Sequence, residues 1–392
     1  MLTGIVFSDL TTLAGFPWLP SDTNYYSYLA DAFLHGQLYL RSIPINTHDL
    51  SFYHNQYYLY WGPLPAILFM PFVALFGVGF SDTLQTIVFG SINVGLFALL
   101  LQLVNQRKFI ELKSSQRALL VLFFSLGTAH APLLAVGTIW HVAQVVALSC
   151  SLLAYIAAFS LDNKRAFFWT GCAVACVLAT RISAGFVAIF LAWYLLSRHW
   201  RLGYSNLIKC CLAGILPVAA VAFLLIAYNV ARFGNPFENG LTYHLMSDYF
   251  RPMFSVYGAL NVHFIPINLY YNFIYYPLVS LEPIEIMPHG GSLFLLSPLF
   301  FAAVFALWAR RNEWATWFLF LSILVGSIPS LMIMAPGSFN FGPRYLLDVA
   351  PPLLLLTALG IKRWPIWLVA VCISISVFHY IVGAIIMIYA WY

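Results

Sequence analysis

The chain has 392 residues, of which 62% are hydrophobic and 8% charged, with a formal charge of +5 and a mean hydropathy of +0.86. That composition excludes an ordinary soluble domain, which has nothing to bury so much apolar surface against, and the modest positive charge does not suit a nucleic-acid binder. Apolar runs of about 20 residues recur, the length that crosses a bilayer as a helix, and the strict alternation of an outer-membrane barrel strand is absent. The fold class expected is an all-α polytopic membrane protein, one integral membrane domain over residues 1–392 with about 10–11 transmembrane helices. Six cysteines (Cys150, Cys172, Cys176, Cys210, Cys211 and Cys372) all lie in apolar segments and read as packing residues.

Residues 1–16 (MLTGIVFSDLTTLAGF) are short and polar for a span, so the first helix is expected to be truncated or to begin upstream. Pro20–Pro65 is polar and rich in tyrosine, and it carries Asp22, Asp31 and Asp49 with His35, His48 and His54. Residues 62–80 (GPLPAILFMPFVALFGVGF) resemble a span, but Pro63, Pro65 and Pro71 and the charge placement below make an interfacial or re-entrant helix the expectation. Residues 17–83 then form a single extracytoplasmic first loop with interfacial helices.

Five clusters hold 13 of the 18 basic residues: Arg107/Lys108/Lys113/Arg117, Lys164/Arg165, Arg198/Arg201/Lys209, Arg310/Arg311 and Lys362/Arg363. The positive-inside rule places all five in the cytoplasm. Parity then assigns ten crossings, over 84–104, 118–136, 138–160, two short helices within 166–197, 210–229, 291–309, 315–335, 344–360 and 365–391. The pair within 166–197 is expected to break near Thr180-Arg181-Ile182-Ser183. Residues 230–290 form a second large extracytoplasmic loop. The expected location is the cell (inner) membrane.

Five basic residues remain: Arg41, Arg181, Arg232, Arg251 and Arg344, all expected at the outer face. All are arginine, whose planar fork grips phosphate at two points. With them sit Asp22, Asp31, Asp49, Asp82, Glu238, Asp248, Glu282, Glu285 and Asp348. Carboxylates and arginines beside lipid suit a substrate with an anionic head and an apolar tail. For Arg41, Arg251, Glu282 and Glu285 the solvated-loop alternative is preferred. For Arg181, inside an apolar run, the functional reading is preferred, because an unpaired charge there costs about 2.5–3.5 kcal/mol on insertion scales.

The stretches SDTNYY (21–26), LADAFLHGQLYL (29–40), YYLYWGPLPA (57–66), ATRISAG (179–185), YNVARFGNPFE (228–238) and FGPRYLLDVAP (341–351) occur in this order along nearly the whole chain. Together they resemble the GT-C fold glycosyltransferases, in the protein O-mannosyltransferase and aminoarabinose transferase branch. The resemblance implies a polyprenyl-phosphate-linked sugar as donor, a catalytic acid at Asp22 and a phosphate contact at Arg181. It leaves open a divalent metal as cofactor. Thr23 stands where relatives carry a second acid, which departs from the pattern a metal site would want. The soluble C-terminal domain of some members is expected to be missing.

Glycosyl transfer from a lipid phosphate needs a base for the acceptor hydroxyl and cationic help for the leaving phosphate. Direct attack inverts the anomeric carbon. Asp22 is the expected base, with a helix N-cap as its alternative reading. Arg181, with Arg232 or Arg344, is expected to hold the phosphate. His141, at the outer end of a helix, reads either as an acceptor-binding group or metal ligand near Asp22 or as a polar helix-end residue. Tyr57 and Tyr58 are expected to stack on sugar. The acceptor is a glycan, lipid or protein, membrane lipids are the surroundings, and nucleic acid is not a partner. Two other classes compete: a transporter or flippase of a lipid-linked sugar, and a non-catalytic membrane protein of the same fold. Against the transporter, no internal repeat is visible and the leftover charges fall at one face.

Overall fold

The computed structural model describes residues 17–277, 289–335 and 340–391. Residues 1–16 and the acids Glu282 and Glu285 lie outside the described residues. Helix α1 (Tyr25–Leu34) is followed by a hairpin of β1 (Ser51–Tyr53) and β2 (Gln56–Tyr58) and by α2 (Leu64–Phe76). The hairpin turn is His54-Asn55, with φ of 49° and 61°. Both values are left-handed, as a two-residue turn matched to strand twist requires.

The bundle follows: α3 (Asp82–Gln106), α4 (Ser114–Leu126), α5 (His130–Ala135), α6 (Ile139–Ser160), α7 (Asn163–Leu178), α8 (Ala188–His199) and α9 (Tyr204–Phe233). Short helices α10 (Arg251–Tyr257), α11 (Ile265–Leu269) and α12 (Leu293–Leu296) precede α13 (Phe301–Ala309), α14 (Trp314–Met332), α15 (Ala350–Ile361) and α16 (Ile366–Trp391). Two-residue strands β3 (His289–Gly290) and β4 (Asn340–Phe341) pair in parallel.

Among the described residues, seven helices are long and apolar enough to cross a membrane: Asp82–Gln106, Ile139–Ser160, Ile182–Leu202, Tyr204–Phe233, Trp314–Met332, Arg344–Ile361 and Ile366–Ile388. The other three expected crossings are shorter or interrupted. The stretch 118–136 breaks at Gly127 between α4 and α5, α7 has 16 residues, and 291–309 is divided at Ser297-Pro298 between α12 and α13. Proline and glycine at the breaks remove or strain the helical ladder. Helix α2 has 13 residues, about 20 Å, which is short of a bilayer. Pro65, Ala66, Phe69 and Val73 form its buried face, while Ile67, Leu68, Phe72, Leu75 and Phe76 are exposed and apolar.

Helix α6 lies at the centre, 89% buried along its most apolar window, and the Arg344–Ile361 segment is wholly buried. Helix α9 is the opposite case, 11% buried, so its apolar length faces outward. The basic clusters gather at one end of the bundle. Arg107 donates to the carbonyls of Phe159 and Ser160, Arg198 to those of Ala158 and Leu161, and both pair with Asp162. Lys362 pairs with Glu111 at 3.3 Å there as well. Arg181, Arg232 and Arg344 belong to the other end, beside the first loop.

Candidate active site

Helix α7 stops at Leu178, and the chain turns at Thr180-Arg181 before a 3₁₀ segment (Ile182–Val187) leads into α8. The break falls where the sequence places it. Arg181 donates from its backbone to the Val177 carbonyl at 2.7 Å, which closes the last turn of α7. Its side chain leaves the helix toward the segment after β4. There Arg181 Nε and Nη2 donate to the two oxygens of Asp348 at 3.0 and 2.9 Å, and Ser183 Oγ adds a third bond at 2.7 Å. Arg181 is thus not the unpaired cation its apolar surroundings suggest, and the insertion cost is offset by a buried partner.

The first loop docks on the same break backbone to backbone. Leu64 N–H donates to the Ala179 carbonyl at 3.1 Å, and a Cβ on Gly62 would lie 2.2 Å from that oxygen. Only glycine allows this approach. Between the docked loop and α9 lies a cavity of about 240 Å³. Tyr60, Trp61, Gly62 and Pro63 form one wall, and Leu225, Tyr228, Asn229, Arg232 and Asn239 form another. Leu178 and Thr180–Ser183 close the base. Tyr60 and Trp61 stack with ring centroids 3.8 Å apart.

Arg232 sits at the C-terminal end of α9, which stops at Gly234 in the left-handed region (φ 69°). All its hydrogen-bond partners are neutral: the carbonyls of Leu59 (2.6 Å), Asn239 and Tyr228, and the Asn229 side chain (2.9 Å). Its guanidinium carbon lies 3.8 Å from the Tyr228 ring centroid. The group is 6% exposed, and among the described residues no carboxylate lies within ion-pair distance of it, so the described lining carries net positive charge.

Arg344 lies outside the cavity lining but next to it. Arg344 and Arg181 approach the same ring, Tyr345, at 4.7 and 6.0 Å. Arg344 is 6% exposed, and its buried Nε has no hydrogen-bond partner among the described residues. The phenol of nearby Tyr60 is pushed well above its usual range by burial first, then by Asp49 and Tyr345, with Arg344 opposing.

The remaining expected residues fall outside the cavity lining. Asp22 is exposed on a segment pinned at both sides. Ser21 before it donates from N and Oγ to Asp82 at 2.8 and 2.5 Å, and Asn24 after it donates to the Val78 and Phe80 carbonyls. Neither Ser21 nor Asp22 caps α1, whose N-cap position is Asn24 with no side-chain cap. The capping alternative for Asp22 therefore loses its basis. Asp22 is near Tyr25, whose phenol is pushed up by burial, then by Asp49 and Asp22. Asp31 pairs with Arg41 at 3.1 Å and with His35 on the surface of the loop.

Tyr58 stands beside Arg232 through Phe233, at a ring distance of 5.1 Å, and its hydroxyl is held by Gln56. Tyr57 packs on Phe52. His141 is 1% exposed, with Nδ1 bound to the Val136 carbonyl at 2.8 Å and Nε2 to the Asn340 side chain at 3.0 Å. Both ring nitrogens are engaged by the protein. Among the described residues no group of three or more His, Cys, Asp and Glu is placed to hold a metal. Sequence reasoning did not assign a role to Tyr60, Tyr228, Asn229 or Asn239. Tyr228 and Asn229 open the YNVARFGNPFE stretch, which was the available signal.

No family model matches the sequence, and no curated protein matches it either. Among solved structures, the oligosaccharyltransferase of Archaeoglobus fulgidus, seen in the apo form and tethered to an acceptor peptide containing the NVT sequon, aligns with 100% of this chain at a TM-score of 0.50 and 13% identity. ArnT from Cupriavidus metallidurans, seen apo and bound to undecaprenyl phosphate, aligns with 93% at TM-scores of 0.48 and 0.46 and 14% identity. The chain spans 55% of the length of the first protein and 60% of the second. At such identities the shared property is the fold, and this chain is an all-α polytopic membrane protein of GT-C-like architecture.

Proposed function

We propose that the protein is a membrane glycosyltransferase that moves a sugar from a polyprenyl-phosphate donor to a glycan, lipid or protein acceptor at the extracytoplasmic face. The observation that carries this reading is the cavity between the first loop and α9. It is cationic through Arg232, polar at its floor, and bounded by Leu178, Ile182 and Leu225 on helices whose outer faces are apolar. A phosphate held there keeps its isoprenoid tail against lipid-facing helix. Arg181, fixed by Asp348, presents the edge of its guanidinium not used in that pair.

In the proposed reaction the acceptor hydroxyl loses its proton to Asp22 and attacks the anomeric carbon directly. The bond to the phosphate oxygen breaks, configuration inverts, and the polyprenyl phosphate leaves with both bonding electrons. Arg232, with Arg181 and Arg344 beside it, stabilises the charge that grows on the departing phosphate. Asp22 is exposed on a pinned segment, as a group that meets an incoming acceptor must be. The test is transfer of radiolabelled sugar from a purified polyprenyl-phosphate-sugar to an envelope extract by the purified protein. Absence of transfer with every donor that binds would overturn the reading.

A further inference from the structure

Asp49 has no part in the proposed reaction, yet it joins three parts of the molecule. Its backbone is in the left-handed region, with φ of 67°, which a non-glycine residue holds only where its surroundings over-determine it. They do so here. Asp49 Oδ2 accepts from Trp140 Nε1 on α6 at 2.8 Å, and Oδ1 accepts from His244 Nε2 in the second loop at 2.6 Å. His48 Nε2 stands 3.5 Å from the same oxygen. The backbones match the side chains. Asp49 N–H donates to the Leu245 carbonyl and Leu245 N–H to the Leu50 carbonyl, both at 2.8 Å, and Ser51 faces His244 in an antiparallel bridge.

This strap lies directly behind the cavity. The edge of His244 rests on Tyr60, at a ring distance of 5.1 Å, and Tyr60 stacks on Trp61 in one wall. The opposite wall includes Arg232 and Asn239, which lead into the strapped segment. We infer that Asp49 and His244 are positioning residues, a latch that holds the second loop on the first and so sets the distance between the aromatic and the cationic wall of the cavity. The inference rests on the cavity's being the lipid-phosphate site. Its chemistry is that of an oriented hydrogen-bonded pair and needs no proton transfer.

The experiment uses the full chain in detergent, with undecaprenyl phosphate as the probe. His244→Ala should expose the Asp49 and Leu245 amides to hydrogen exchange while α9 stays protected. It should also weaken undecaprenyl phosphate binding about tenfold, because apparent affinity scales with the latched fraction. The double variant Ser51→Cys/His244→Cys replaces the latch by a disulfide at facing bridge positions, where the spacing suits one. Oxidised, it should bind within about twofold of the wild type; reduced, it should bind as weakly as His244→Ala. A role for the imidazole itself would not be restored by a disulfide. Equal weakness of the oxidised and reduced forms, or unchanged binding and exchange in His244→Ala, overturns the latch. Wild-type protein that shows the expected exchange pattern but binds no undecaprenyl phosphate overturns the site reading and leaves the strap supported.

Discussion

Arg181 and Asp348, 167 residues apart in sequence, meet through two parallel hydrogen bonds of 3.0 and 2.9 Å. The pair ties the break after α7 to the segment that opens α15, and it neutralises an arginine inside an apolar run. Asp348 is 3% exposed and Arg181 14%.

Removing one partner leaves a buried charge, which costs about 3–5 kcal/mol. Asp348→Leu and Arg181→Leu should therefore each lower the melting temperature clearly. The double variant Arg181→Leu/Asp348→Leu should lose less than the two singles added together. Thermal melts of the four proteins check this, and strict additivity would show that the pair is not coupled.

Among the described residues Arg232 meets only neutral hydrogen-bond acceptors, which leaves its charge without an ion-pair partner there and open to a ligand. Arg232→Gln should weaken undecaprenyl phosphate binding about 10- to 100-fold, the range for loss of a charge-assisted interaction. Binding of undecaprenol, which lacks the phosphate, should barely change. Arg181→Ala should also weaken donor binding, and Arg181→Lys should restore it only in part, because lysine lacks the fork. Titrations with both lipids distinguish charge recognition from tail binding.

Asp22 is exposed and caps nothing, so its substitution should spare the fold. Asp22→Asn should reduce sugar transfer by about 100- to 10,000-fold if a positioned base is lost. The melting temperature should stay within a degree or two, as surface substitutions usually do. Asp31→Asn, on the surface ion pair with Arg41, is the control and should cost far less activity. Transfer within a few fold of the wild type in Asp22→Asn would move the base elsewhere.

Gly62 lies where a Cβ would be 2.2 Å from the Ala179 carbonyl oxygen. Backbone on both sides leaves no flexible side chain to yield. Gly62→Ala should push the first loop off the helix break, with a cost of about 1–3 kcal/mol, and should weaken lipid binding in parallel. Unchanged melting and binding would mean that the loop relaxes freely.

Ile45, 92% exposed on the first loop, and Ser114, at the start of α4 beside the basic clusters, should lie on opposite sides of the membrane. Ile45→Cys should react with an impermeant maleimide in intact cells, and Ser114→Cys only after permeabilisation. Both reacting from one side would defeat the assignment of the first loop to the extracytoplasmic face.

Much of the architecture is legible in the chain by itself, because a bilayer imposes length and charge rules that act locally. Apolar runs, the five basic clusters and the proline and glycine breaks predict ten crossings, and the interruption at Thr180–Ser183 follows from parity alone. The same subtraction isolates Arg181, Arg232 and Arg344, which end up in or beside one cavity. The tertiary structure decided how those charges are spent. Nothing in the spacing of Arg181 and Asp348 announces a pair, since their meeting depends on helices packed far apart in sequence. Asp22 and the N-cap position look interchangeable as a string, and only the fold assigns the cap position to Asn24 and the pins to Asp82, Val78 and Phe80. The Asp49–His244 contact joins two loops with no shared periodicity. Long-range hydrogen bonds of this kind are fixed by where backbones are carried in space, and local residue patterns hold no record of that.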